Sequence, residues 1–158
     1  HENINNKIKN GKEYSESLQN ELRLIMWEYC GVIKDKNLLK KGLDKIKSLK
    51  TKSKNIKVRI LENNCQDLVD MFDLESSLVS AEATIISALE RNESRGAHQR
   101  SDYIETNSNF DFNCCIYTEE INKEIKIYRS PLKKISKELM VLVKNAKAEE
   151  FDGNKLLE

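Results

Sequence analysis

From about Asn63 to Asn92 the apolar residues Leu68, Met71, Phe72, Leu78, Ala81, Ile85, Ala88 and Leu89 fall at helical spacing, uninterrupted by proline or glycine. That spacing puts them on one side of an α-helix of about eight turns. A second apolar edge, Val69, Leu74, Val79 and Ile86, widens the stripe. A helix so broadly apolar must be covered by at least two neighbours. The chain supplies two. Leu18, Leu22, Ile25, Met26 and Tyr29 form one stripe from Tyr14 onward, with Ser15 and Ser17 as expected caps and Gly31 near its end. Leu39, Leu43, Ile46 and Leu49 form the other, from Lys36 to Lys52. Three amphipathic helices with short connections predict a mainly α fold: an antiparallel three-helix bundle over residues 14–103.

Composition agrees. Charged residues make up 34% and aromatics 6%, and with only 5 glycines and 1 proline the elements should be long. Residues 1–13 are polar and expected to fray, and the opening at His1 in Asn- and Lys-rich sequence reads as part of a longer protein. Ile56, Val58 and Ile60 alternate within a basic connector, a weak strand signal standing alone. After the bundle, residues 104–130 should form a loop and a short β-hairpin, with strands Phe110–Tyr117 and Glu124–Tyr128 about a turn near Ile121-Asn122. A lone two-stranded hairpin is marginal in water, so it must lean on the bundle or on another domain. Leu132, Ile135, Leu139, Met140 and Val143 predict a helical tail over 131–158 with a loose end.

From Lys34 to Arg59 there are 11 basic residues against 2 acidic ones, a local net charge of +9. Such a stripe could track phosphates, but it lacks aromatic stacking platforms and the whole chain is only +1. A lysine-coated, solvated helix face is expected instead, with no nucleic-acid partner. An acidic membrane surface or partner subunit suits that face a little better. No run of 18 apolar residues predicts a membrane span. Cys30, Cys65, Cys114 and Cys115 form no C-x-x-C pair and are read as reduced, mostly buried and cytosolic, with no metal site.

The long helix runs into Glu93-Ser94-Arg95-Gly96-Ala97-His98-Gln99-Arg100-Ser101-Asp102. On physical grounds Gly96 should stop the helix in a left-handed conformation, with Arg91 and Arg95 at the negative end of its dipole. The sharper reading has Arg95, His98 and Arg100 converging on a partner surface, with Asp102 orienting one of them. Glu93, Ser94, Arg95, Gly96, His98, Arg100 and Asp102 are therefore the expected interface residues. No nucleophile, metal or cofactor pocket accompanies them, so no catalytic residue is assigned.

This run resembles the ESRGAHxRxD signature in the C-terminal helical region of flavoproteins of the succinate dehydrogenase/fumarate reductase family, a group that includes L-aspartate oxidase. Glu21–Ile33 looks like that family's first bundle helix, Leu39–Leu49 is similar to its second, and Leu74–Glu82 to its third. The resemblance covers about residues 14–130 and is firm around 68–103. It implies a spectrin-like three-helix bundle packed on an FAD-binding domain, in a parent that oxidises succinate or reduces fumarate by hydride transfer with FAD. It also implies an iron-sulfur subunit as a partner and a cytoplasmic parent at the inner face of a membrane. Ala97, Arg100 and the following hairpin favour the succinate/fumarate branch; Met26-Trp27-Glu28-Tyr29 leans toward L-aspartate oxidase. The family often has proline where Ile104 stands, and Leu132–Glu158 has no counterpart identified in it. A flavin pyrophosphate needs a G-x-G-x-x-G turn between a strand and a helix, and Gly11, Gly31, Gly42, Gly96 and Gly153 stand singly. The chain itself is expected to bind no cofactor and to be non-catalytic. A free-standing helical interaction module is the alternative.

Overall fold

The computed structural model describes residues 10–59, 65–119, 124–133 and 136–145. Three helices, α1 (Ser15–Tyr29), α2 (Lys36–Ser53) and α3 (Gln66–Glu90), carry the core. Their inward rows are Leu18, Leu22 and Ile25 from α1, Leu39, Ile46 and Leu49 from α2, and Met71, Leu74, Leu78, Ala81, Ile85 and Ala88 from α3. Each helix packs on both others, which is the expected bundle. Its antiparallel course is fixed at both ends. Glu13, just before α1, bridges Ile56, just after α2. At the other end Lys36 N, opening α2, donates to Asp102 beyond α3.

The helix starts use different devices. Asp35 caps α2, its carboxylate accepting from Asn37 N at 2.7 Å and Leu38 N at 3.0 Å. Neither Ser15 nor Ser17 caps α1. The residue at its threshold is Tyr14, in extended backbone and with no side-chain cap bond. Ser15 Oγ is instead turned inside without a hydrogen-bond partner. The connector after α2 contributes to the core: Ile56 and Val58 are fully buried, and one isolated bridge replaces a strand. Lys12 and Glu13, expected in the fraying lead-in, donate their amides to Asn55 O. Ile60, Asn63 and Asn64 lie outside the described residues.

Gly42 sits mid-helix in α2 at a crossing. A Cβ there would lie 2.7 Å from Tyr29 Cβ and 3.2 Å from Ile85 Cδ1. Gly→Ala in a helix interior normally gains about 1 kcal/mol. Here overpacking should outweigh it, so Gly42→Ala is expected to lower stability by about 1 kcal/mol. A urea titration of both chains reads the sign.

The second apolar edge of α3 is only partly covered. Leu74 is in the core, but Val69 is 49% and Val79 44% exposed; Phe72, expected in the main stripe, is likewise turned outward at 49%. The two neighbouring helices cover the sides of α3 that face them and leave this one open.

Two short strands that the sequence does not announce pair in parallel, β1 (Ile33–Lys34) between α1 and α2 and β2 (Gln99–Arg100) beyond α3. They tie the α1–α2 loop to the signature. The hairpin forms as expected, its strand ends shifted by one to three residues: β3 (Phe112–Thr118) pairs antiparallel with β4 (Ile125–Pro131). Phe110 falls in a preceding 3-10 turn, and the hairpin's tip near Ile121-Asn122 is outside the described residues. The hairpin leans on the bundle through Phe112, whose ring lies under the guanidinium groups of Arg91 and Arg129 at 5.3 and 4.8 Å. Arg129 also bonds Glu90 at 2.7 Å. The tail helix, α4 (Lys137–Asn145), follows; Leu139 and Met140 are exposed on it. All four cysteines are free thiols; Cys65 is exposed, and burial pushes the Cys30 and Cys114 thiols up.

Candidate functional site

The signature folds into a knot around the C-terminal end of α3. The helix stops at Glu90, and Arg91 is already extended. Gly96 does take the left-handed conformation, with φ +56°, but not as the helix stop. It is the first central residue of a two-residue turn closed by Arg95 N to His98 O at 2.8 Å and His98 N to Arg95 O at 3.0 Å. A positive φ at that position is what such a turn needs.

Arg100 is the centre. Its side chain is wholly buried, and its Nη1 donates to Ala88 O at 2.7 Å and to Arg91 O at 3.3 Å. The cation at the negative end of α3 is thus Arg100, arriving from twelve residues on, rather than Arg91 or Arg95. Its Nε and Nη2 each donate to Asp102 at 2.7 Å, a bidentate pair. Asp102 in turn accepts from Lys36 N at the start of α2. This ion pair therefore spans a helix C-terminus and a helix N-terminus, each end of the pair facing the dipole that favours it. The guanidinium also lies 5.1 Å from the Tyr103 ring centre. The Arg100 guanidinium and the α2 amide hold the Asp102 carboxyl down at about 2.

Glu93 makes a second pair of the same kind. It is fully buried and accepts from Arg91 Nη1, from Arg95 Nε at 3.0 Å, and from Asn107 N at 2.8 Å. Burial alone would raise its carboxyl; the two arginines and the amide overcome that and bring it to about 2. Arg95 continues to Asp111 at 2.7 Å, and Arg91 to Phe110 O and Phe112 O. Ser94 sits between the pairs, its hydroxyl accepting from Arg100 N at 2.9 Å and donating to Tyr103 O at 2.7 Å. His98 Nε2 bonds Arg91 O at 3.0 Å; as a donor to that carbonyl it leaves Nδ1 unprotonated, and burial holds the ring's pKa below its ordinary value.

The seven signature residues are thus brought together, but the charges meet partners inside the chain that the sequence does not show. Arg100, Glu93 and Ser94 face inward, while Arg95 and Gly96 are exposed and His98 is half-buried. Sequence reasoning missed Asp35, Asn107, Asp111 and Phe112. Only Asp35 carried a local signal, an acidic cap before a periodic run. The others lie within this knot through a loop path that no periodicity encodes.

A flavin pyrophosphate does not fit these residues. The left-handed glycine follows the C-terminal, negative pole of a helix, the wrong end for an anion. Among the described residues no glycine leads from a strand into a helix. Nor, among them, do three or more His, Cys, Asp or Glu gather to hold a metal ion.

Comparison with known proteins bears on this arrangement directly. The family described as fumarate reductase flavoprotein C-term matches residues 19–145, so the family pattern reaches past Leu132 into the tail helix. A relative from Methanocaldococcus jannaschii, an uncharacterized FAD-dependent oxidoreductase, is 39% identical over 100 residues, covering 63% of this chain and 18% of that protein. The fumarate reductase flavoprotein subunit of Haemophilus influenzae is 38% identical over 98 residues, 60% of this chain and 16% of that protein. This chain therefore spans less than a fifth of the length of either. Among solved structures, the FrdA chain of E. coli quinol fumarate reductase superposes with a TM-score of 0.75 at 25% identity, over 85% of this chain and 24% of that one.

Proposed function

The chain belongs to the fumarate reductase flavoprotein C-terminal family, and we propose that it is the helical domain of a subunit whose FAD-binding part oxidises succinate or reduces fumarate by hydride transfer. In this reading the chemistry resides outside these residues. The domain supplies a rigid body that packs on the flavin-binding part. Glu93, Ser94, Arg95, Gly96, His98, Arg100 and Asp102 shape its docking tip: Arg95, Gly96 and His98 present its outer side, and Glu93, Ser94, Arg100 and Asp102 hold them in place. The observation that carries this reading is the signature knot, in which two ion pairs, each with one fully buried member, fix an exposed turn. Rigid support of an exposed turn is what a docking element requires.

An iron-sulfur subunit is the expected electron partner, and peripheral attachment at the inner membrane face follows from companion subunits. None of the described helices is long and apolar enough to cross a membrane. Produced as the complete subunit, the protein should hold flavin and reduce fumarate with a reduced viologen dye. Purification without flavin, or with flavin but no turnover of fumarate or succinate, would contradict the proposal. Oxidation of L-aspartate by that preparation would move it to the sister branch.

A further inference from the structure

The pattern of α4 finds no use among the described residues. Leu139, Met140 and Val143 fall at i, i+1 and i+4, which places them on one side of the helix. Lys137 and Lys144 stand seven residues apart and so share the neighbouring side, next to Met140. Ser136 opens the helix, its hydroxyl accepting from Leu139 N at 3.2 Å. Yet every described side chain from Ser136 to Val141 is exposed, Leu139 and Met140 among them. A helix of 9 residues is too short to be stable by itself in water, and most helical stability comes from what covers the apolar side. Charge selects the cover. From Leu132 to Lys147 there are 5 lysines against 1 acidic residue, Glu138, a local net charge of +4 in a chain of only +1. The acidic Glu149, Glu150 and Asp152 come only after this stretch. The same stretch holds no arginine and no aromatic residue. Those are the anchors that protein interfaces favour, whereas lysine is depleted in them. Lysines beside an apolar row suit a bilayer instead. The apolar side chains reach the acyl boundary, and the lysine stems lie along it with their ammonium groups at the lipid phosphates.

We propose that α4 lies in the headgroup layer of an anionic membrane, so that this chain touches lipid directly and not through companion subunits alone. Neither part of the pattern suffices by itself. A short apolar row gives weak adsorption, and each lysine near an anionic surface adds a several-fold gain. Together they make a reversible contact that salt releases. The helix rests in the plane of the membrane; none of the described helices is long and apolar enough to cross it. α2 is also rich in lysine, but no large apolar residue is exposed on it, so it offers attraction without an anchor. This contact needs neither flavin nor turnover and is therefore independent of the proposed function.

The test floats the complete subunit, made without companion subunits, with vesicles of phosphatidylcholine alone or of phosphatidylcholine and phosphatidylglycerol in equal parts. It should rise with the anionic vesicles, stay behind with the neutral ones, and be released by high salt. Lys137→Ala should weaken that binding about fivefold. Leu139→Ser, which removes the anchor without adding charge, should weaken it about tenfold. Both positions are exposed, so the melting temperature should be unchanged in each variant. Lys40→Ala, on the exposed side of α2, should change binding little. A subunit that does not float with anionic vesicles would overturn the proposal. So would a loss in Lys40→Ala as large as in Lys137→Ala, which would move the contact to α2. A loss in Lys137→Ala with none in Leu139→Ser would overturn the headgroup seating and leave a loose electrostatic tether.

Discussion

Replacing Arg100 with alanine should cost the fold about 3 kcal/mol or more, the largest loss expected from a charged side chain among the described residues. Three losses combine. The side chain is wholly buried, so its removal leaves a void where the guanidinium and its stem were. At the end of α3, Ala88 O loses its guanidinium donor and Arg91 O keeps only its bond to His98 Nε2. Asp102 is left as a charge without its counterion, still tied to the start of α2. Thermal unfolding should fall by roughly 10 °C. Arg100→Lys keeps the charge but cannot reach two carboxylate oxygens and a carbonyl at once, so it should recover less than half of the loss. A drop of under about 0.5 kcal/mol in Arg100→Ala would mean the ion pair contributes no more than an exposed one.

Nothing in the sequence singled out Arg100 from its neighbours in this way. The bundle was legible because Leu68 to Leu89 repeat at helical spacing, and covering them required the stripes of α1 and α2. Helical periodicity is local, so a window of residues is enough to reveal it. The signature was recognisable as a string, and Gly96 as a residue made for positive φ. Where each charge points was not legible. Arg91, Arg95 and Arg100 are equivalent as letters near a helix end, yet only Arg100 returns to the α3 carbonyls, because the turn at Gly96 reverses the chain and carries it back. The cap on α1 failed for a related reason. Ser15 matched a capping rule, but the bridge from Glu13 to Ile56 starts the helix from Tyr14 and rotates Ser15 toward the inside. Local preference yields where the chain is held from elsewhere. The open side of α3 shows the reverse case: its apolar pattern was legible as a demand for a neighbour, and the described residues leave that demand unmet.

Glu93→Gln should remove an acid-sensitive part of the stability while leaving the shape nearly unchanged. In the native chain the Glu93 carboxyl titrates at about 2, against an ordinary value of 4.5. A folded value below the unfolded one means that the unfolded chain takes up the proton first. The stabilisation is therefore complete above about 4.5 and is lost as pH falls toward 2. For this fully buried group the shift corresponds to about 3 kcal/mol. The amide introduced by the substitution fills the same space but cannot carry the charge that Arg91 and Arg95 face. Urea titrations across pH should show native and Glu93→Gln chains separated by a few kcal/mol at pH 7, the gap narrowing below about pH 4.5 and closing near pH 2. Asp102 lies low for the same reason and will keep a shallower acid limb in both chains. His98, also lowered by burial, adds a loss common to both below about pH 6.5. A gap between the two chains as wide at about pH 2.5 as at pH 7 would show that Glu93 acts by packing and hydrogen bonding, not by its charge.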